Sequence, residues 1–276
     1  MKIDSHQHFW RYNEAQYPWI PKNSPLQCDW LPEDWRAAAC RVGVQGSVAV
    51  QARQTIEESR WLLQLAEQHS SIKGVVGWVD LRSDKLEQQL KELAQHPKFV
   101  GVRHVVQDEP DGHFMLREDF QRGIALLKKY QLAYDILIFP KQLPAALELV
   151  KTFPEQLFAL DHIAKPFIKD GVLSPWREQI CTLAESRNVY CKVSGMVTEA
   201  RHGAWKKEQF RPYLETVFAA FGEDRLMFGS DWPVCLLSAS YNQVLEIVED
   251  FLKKFDQKTR EKVMGQNAAR FYGIKS

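Results

Sequence analysis

The feature that most constrains this chain is an alternation. Short β-branched or aromatic runs and longer helix-patterned stretches follow one another eight times from end to end. The strand candidates are Ile3 to His6, Ser47 to Gln51, Val75 to Val79, Val100 to Val106, Ala133 to Phe139, Leu157 to Leu160, Val189 to Val193 and Leu226 to Phe228. Between them, apolar residues recur at the spacing of one helix face. Trp61, Leu62, Leu65 and Ala66 do so within Glu57 to Gln68, and Leu86, Leu90 and Leu93 within Asp84 to His96. Glu118 to Tyr130, Leu143 to Phe153, Ser174 to Ser186, Lys207 to Ala220, Tyr241 to Phe255 and Thr259 to Tyr272 behave alike. A helix crossover returns each strand parallel to the one before. Eight such units favour closure, and 276 residues match the roughly 250 of one (β/α)8 TIM barrel. No linker, low-complexity tract or internal repeat interrupts the pattern, so residues 1–276 read as one α/β domain. The stretch Trp10 to Trp35, rich in Pro, Trp and Tyr, reads as a long loop following strand one. Long loops in compact domains are often functional.

Charge and cysteine usage exclude several classes of partner. A formal net charge of +1 leaves no electrostatic footprint for nucleic acid or an anionic membrane. The cysteines, Cys28, Cys40, Cys181, Cys191 and Cys235, are odd in number and scattered, with no CxxC. A disulfide framework or thiolate zinc site is not expected, and a reducing compartment is. The opening MKIDSHQHFW has no apolar core of signal-peptide type. No apolar run approaches the roughly 18 residues of a membrane span. The chain therefore reads as cytoplasmic, with homo-oligomerisation left open.

In β/α barrels, chemistry sits at the C-terminal ends of the strands. Those ends here carry His6 and His8, Gln51, Asp80, Arg103 and His104, Asp161 and His162, Lys192 and Ser194, and Asp231. His6 and His8 lie two apart on a strand and so share a face. That suits two nitrogen ligands on one metal ion, or two hydrogen-bond donors on one substrate. Asp231 follows the apolar LMFGS, where a carboxylate is costly unless paired or used. The alternative is that it caps the next helix. His162 is either a catalyst or a structural hydrogen-bonder, and Lys165 a site cation or a solvated loop charge. Arg103 and His104 are neighbours, so at most one faces the barrel interior.

Together these residues resemble the amidohydrolase superfamily. The matches are DSHQH at the start, LDHIAKP after the sixth strand and FGSDWP after the eighth. HFWRY, GWVDL, GVRH, KVSG and NAARFYGI support them. They are similar in particular to the amidohydrolase-2 branch of sugar lactonases, of the L-fuconolactonase and L-rhamnonolactonase type, along essentially the whole chain. The resemblance implies a barrel hydrolase with Asp231 transferring the proton. In metal-dependent members the HxH and the strand-eight Asp bind a divalent ion, usually zinc, often with a strand-five histidine. This chain departs there: strand five reads AYDILIFP, with Phe139 before Pro140. His6, His8 and Asp231 remain as ligands with an open position, while some lactonases of the superfamily use no metal. The expected cofactor is thus one divalent ion, zinc, or none.

The expected reaction is opening of a sugar lactone to the aldonic acid, with Asp231 and His162 catalytic. Gln51, Arg103 or His104, Lys165 and Trp232 are the candidate substrate contacts. One rival is a decarboxylase or hydratase acting on an aromatic or dicarboxylic acid. It wants the missing strand-five histidine and an arginine cluster. A non-catalytic binding barrel predicts decay of the polar set, yet His6, His8, His162 and Asp231 all stand.

Overall fold

A computed structural model describes residues 1–275. The strands are β1 (Lys2–Gln7), β2 (Val44–Val50), β3 (Ile72–Gly77), β4 (Phe99–His104), β5 (Ala133–Ile136), β6 (Phe158–Leu160), β7 (Val189–Val193) and β8 (Leu226–Phe228). They pair in chain order, each parallel to the next. The end of β8 returns to β1: Asp231 N–H donates to the His6 carbonyl at 2.8 Å and His8 N–H to the Trp232 carbonyl at 2.7 Å. The result is a nearly closed eight-stranded barrel.

One helix follows each strand: α1 (Pro32–Ala39), α2 (Ile56–Gln68), α3 (Leu86–Leu93), α4 (Glu118–Leu127), α5 (Leu143–Thr152), α6 (Trp176–Ala184), α7 (Arg211–Phe221) and α8 (Tyr241–Leu252). Among the described residues no helix is long and apolar enough to cross a membrane, and all five cysteines are free. Two expectations need correction. The stretch Trp10 to Trp35 is not loop throughout, since α1 begins at Pro32. Its remainder is folded back by an antiparallel bridge between Trp10 and Trp30, around a small core of Trp10, Tyr17, Ile20 and Leu26. The last helix is also not continuous: α9 (Gln257–Glu261) and α10 (Asn267–Phe271) flank a wide turn. A Cβ at Gly265 would lie 2.3 Å from the Met1 carbonyl, so the helix widens where the start of β1 passes.

Inside the barrel, Ile3, Val48, Val50, Val76, Val100, Ala133, Ala159 and Met227 form an apolar floor. Ala268, Phe271 and Tyr272 plug it from the N-terminal end. Strand periodicity then dictates the next layer. Two residues beyond Gly101, Ala133, Ala159 and Tyr190 stand Arg103, Asp135, Asp161 and Lys192. In β1, Ile3 and His6 both face inward although they are three apart. An extra residue in β1 between Asp4 and Gln7 relative to β2 resets the alternation. Asp4 itself points outward and accepts from Ser230 Oγ (2.6 Å), Tyr241 OH (3.0 Å) and Trp35 Nε1 (3.2 Å). It ties β1 to α1, α8 and the end of β8.

Candidate functional site

The barrel mouth gathers three imidazoles around one carboxylate. Asp231 Oδ1 lies 3.3 Å from His8 Nε2 and 3.8 Å from both His6 Nε2 and His162 Nε2. His6 and His8 Nε2 are 3.2 Å apart. All four side chains are buried.

Each group is aimed by a neighbour. His8 Nδ1 is 2.8 Å from the Val50 carbonyl; a carbonyl only accepts, so Nδ1 donates there. His6 Nδ1 lies 3.3 Å from Asp161 Oδ1 and 3.2 Å from Lys192 Nζ. His162 Nδ1 meets Ser194 Oγ at 2.9 Å. His162, Ile163, Ala164 and Lys165 all adopt positive φ, between 49° and 61°. That costs a β-branched residue such as Ile163 on the order of 1–2 kcal/mol. Trp176 Nε1 holds the turn by donating to the Ile163 carbonyl at 2.8 Å. Gly195, at φ +64°, makes room for His162: a Cβ there would lie 2.5 Å from its Nδ1.

Asp231 also sits at positive φ, 57°. Its carbonyl accepts from Cys235 N–H at 2.8 Å, while its carboxylate faces the imidazoles rather than the following turn.

Burial pushes the His6 and His162 imidazoles well below their usual range. Burial alone would raise the Asp231 carboxyl, but His162, His8 and Lys165 outweigh it and hold the group below its ordinary range. Asp161 follows the same pattern, with burial overcome by Lys192, His6 and Arg103. Both carboxylates are ionised.

Arg103 is the member of its pair that enters the barrel. Its Nη1 lies 3.1 Å from Asp161 Oδ2 and 3.2 Å from His6 Nε2, and its Nη2 donates to the Gln51 carbonyl. His104 points the other way. It bonds Glu109 Oε1 at 2.6 Å and stacks on Phe114 at 4.9 Å, which takes it off the mouth. Gln51 is fully buried against Arg103. Trp232 is also buried, edge-on to Trp30 at 5.1 Å, so its ring is not an open substrate platform. Lys165 Nζ sits 5.5 Å above the Phe139 ring.

Sequence reading assigned no role to Asp135, Asp161, Lys192 or Tyr272. Charged residues at inward positions of AYDILI and VYCKV were the available signal for Asp135 and Lys192. Tyr272 falls within NAARFYGI, but the sequence names no partner for it, because that partner lies across the barrel.

The donor set also fits a cation. His6 Nε2, His8 Nε2 and Asp231 Oδ1 are three potential ligand atoms converging within 3.2 to 3.8 Å of one another. Ligands about 2.0–2.2 Å from a tetrahedral zinc stand roughly 3.3–3.6 Å apart. Phe139 adds no ligand from the β5 side.

Residues 3–274 match the family described as amidohydrolase. The chain belongs to the amidohydrolase family. This amidohydrolase is 40% identical to the L-fucono-1,5-lactonase of Burkholderia multivorans, covering 99% of this chain and 96% of that protein. A more distant match, 26% identical over 63% of this chain and 59% of the other, is the L-rhamnono-gamma-lactonase of Scheffersomyces stipitis. A crystal structure of an amidohydrolase from Burkholderia multivorans with bound zinc superposes with a TM-score of 0.96 at 39% identity, covering 100% of both chains.

Proposed function

We propose that this amidohydrolase opens a sugar lactone ring to the aldonic acid, with L-fucono-1,5-lactone as the first substrate to test. One observation carries the reading. An ionised Asp231 faces three imidazoles at the barrel mouth, in a chain 40% identical to an L-fucono-1,5-lactonase.

Asp231 takes a proton from water as the water oxygen bonds to the lactone carbonyl carbon. The carbonyl oxygen becomes an oxyanion, and Arg103, the permanent cation 3.2 Å from His6 Nε2, balances its charge. The ring C–O bond then breaks. The departing alkoxide recovers the proton held by Asp231, directly or through His162, whose Nε2 lies 3.8 Å from it. Lactone plus water gives hydroxy acid, with the enzyme returned to its starting protonation. A divalent ion on His6, His8 and Asp231 would add a Lewis acid for the lactone carbonyl. Lys165 at the rim is the candidate contact for sugar hydroxyls.

The decarboxylase or hydratase reading finds less support. That reading wants a cluster of arginines for carboxylates and a histidine after β5, where this chain has Phe139. Proton release from a panel of aldonolactones, run beside absorbance assays with aromatic acids, decides. Turnover of aromatic acids with none of any lactone would overturn the proposal.

A further inference from the structure

The segment that joins β1 to α1 packs on the two loops flanking the strand that carries His8. On one side the Trp30 ring meets Trp232, the neighbour of Asp231, at 5.1 Å. On the other, Tyr17 OH donates to Glu58 Oε1 at 3.1 Å and Trp19 Nε1 to the Ala52 carbonyl at 3.0 Å. Ala52 directly follows Gln51, so this second contact stands at the end of β2 where barrel chemistry is placed.

Two side chains there are held in position without being used by the fold. Trp19 is 42% exposed, although its indole is bonded to Ala52 and lies edge-on to Trp10 at 5.5 Å. Arg53 is the next residue of the loop. Its guanidinium stands 5.5 Å from the Tyr17 ring centroid, and its Nε is buried with no partner. The adjacent acid, Glu58, is spent elsewhere: Oε2 accepts the backbone N–H groups of Ala52 and Arg53 at 2.9 and 2.7 Å, and Oε1 takes Tyr17. The guanidinium is thus oriented by a ring rather than neutralised by a carboxylate. A buried donor left unpaired in a folded protein calls for a partner that the chain does not supply. A fixed, open indole beside a free guanidinium suits a ligand with an apolar C–H face and many hydroxyls. The reaction set out above engages the lactone carbonyl and ring oxygen, and gives the hydroxyls only Lys165, on the β6 side.

We propose that Arg53 and Trp19 are specificity-determining residues on the β2 side of the mouth. Arg53 donates to ring hydroxyls of the sugar lactone and Trp19 covers a C–H face, while Tyr17 and Glu58 are positioning residues for Arg53. The assignment rests on the lactone reading, and a binding measurement separates the two.

The experiment compares wild type with Arg53→Met on a panel of 1,5-lactones that share the reacting carbonyl and differ in hydroxyl configuration. KM on the best lactone should rise about tenfold, the scale of a hydrogen bond to a charged group. Its kcat should stay within about twofold, as when binding common to ground and transition states is removed. The spread of kcat/KM across the panel should shrink. Trp19→Ala should raise KM about three- to tenfold, the scale of an aromatic contact, and Trp19→Phe should recover most of that loss. Calorimetric titration with L-fuconate needs no turnover, and Arg53→Met should weaken that binding by about tenfold as well. Wild-type KM, lactone preference and L-fuconate binding in Arg53→Met overturn the proposal. Equal losses on every lactone with the spread intact also overturn it, because a merely structural role acts on all alike, as does failure of L-fuconate to bind the wild type. L-fuconate bound through Arg53 by an enzyme idle on every lactone defeats the lactone reading alone. Should Arg53→Met fail to fold, Arg53→Lys, which keeps the charge and loses the planar fork, carries the same comparison.

Discussion

Alanine at Gly195 should damage the site far more than the fold. The residue holds φ at +64°, and an added Cβ would meet His162 Nδ1 at 2.5 Å, Cγ at 2.6 Å and Cβ at 2.8 Å. Ordinary contact begins near 3.4 Å, so the imidazole must retreat by about 0.9 Å and surrender its 2.9 Å bond to Ser194. The left-handed backbone costs alanine about 1–2 kcal/mol, and the lost hydrogen bond about 1 kcal/mol more. A displacement near 1 Å in a catalytic constellation costs about 10²-fold in rate. Gly43→Ala is the control, because Gly43 has φ +76° with nothing within 4 Å of a new Cβ. It should lose only the backbone cost and keep full activity. The assay is kcat/KM on the best lactone together with a denaturation midpoint for both variants. A Gly195→Ala enzyme as active as Gly43→Ala would refute the placement of His162 in the chemistry.

Glu58 is buried and accepts from Arg53 N–H (2.7 Å), Ala52 N–H (2.9 Å) and Tyr17 OH (3.1 Å), yet burial pushes its carboxyl up to about 7 against those bonds. The folded state therefore holds this proton more tightly than the unfolded chain, and stability should fall as pH rises from the ordinary carboxylate range through about 7. Glu58→Gln should flatten that fall; denaturant midpoints at about pH 5 and about pH 8 measure it, and an equal slope in both proteins would contradict the assignment. In zinc-loaded protein, elemental analysis should find that His8→Ala loses the ion and Phe139→Ala keeps it; full occupancy in His8→Ala would move the site elsewhere.

The architecture was legible because period-two strands and period-3.6 helices leave different marks. β7 and β8 have the expected bounds. β4 and β5 stop short of the apolar runs Val100 to Val106 and Ala133 to Phe139, at His104 and Ile136. The residues beyond leave the ladder for the mouth, and periodicity carries no mark of where pairing ends. His6, His8, His162 and Asp231 were legible as polar residues ending apolar strands. Choosing Arg103 over His104 needed the register of β4, which two adjacent residues cannot supply. The left-handed turn at His162–Lys165 was not readable either, since all four of its members are L residues at positive φ, where glycine is the usual choice. Asp135 and Lys192 are charges embedded in apolar strands, a visible anomaly whose meaning depends on partners 57 residues apart.

The central claim is that the Asp231 carboxylate is the base. Asp231→Asn isolates it, because asparagine tolerates the positive φ of 57° as well as aspartate does and keeps the bond from Cys235 to its carbonyl. Initial rates on L-fucono-1,5-lactone or the best alternative lactone, with the thermal midpoint measured alongside, give the answer. General-base catalysis supplies about 10²–10⁴ in rate, so a folded Asp231→Asn protein should be slower by at least that factor. A folded variant hydrolysing the lactone within about threefold of wild type, far short of that factor, would contradict the account.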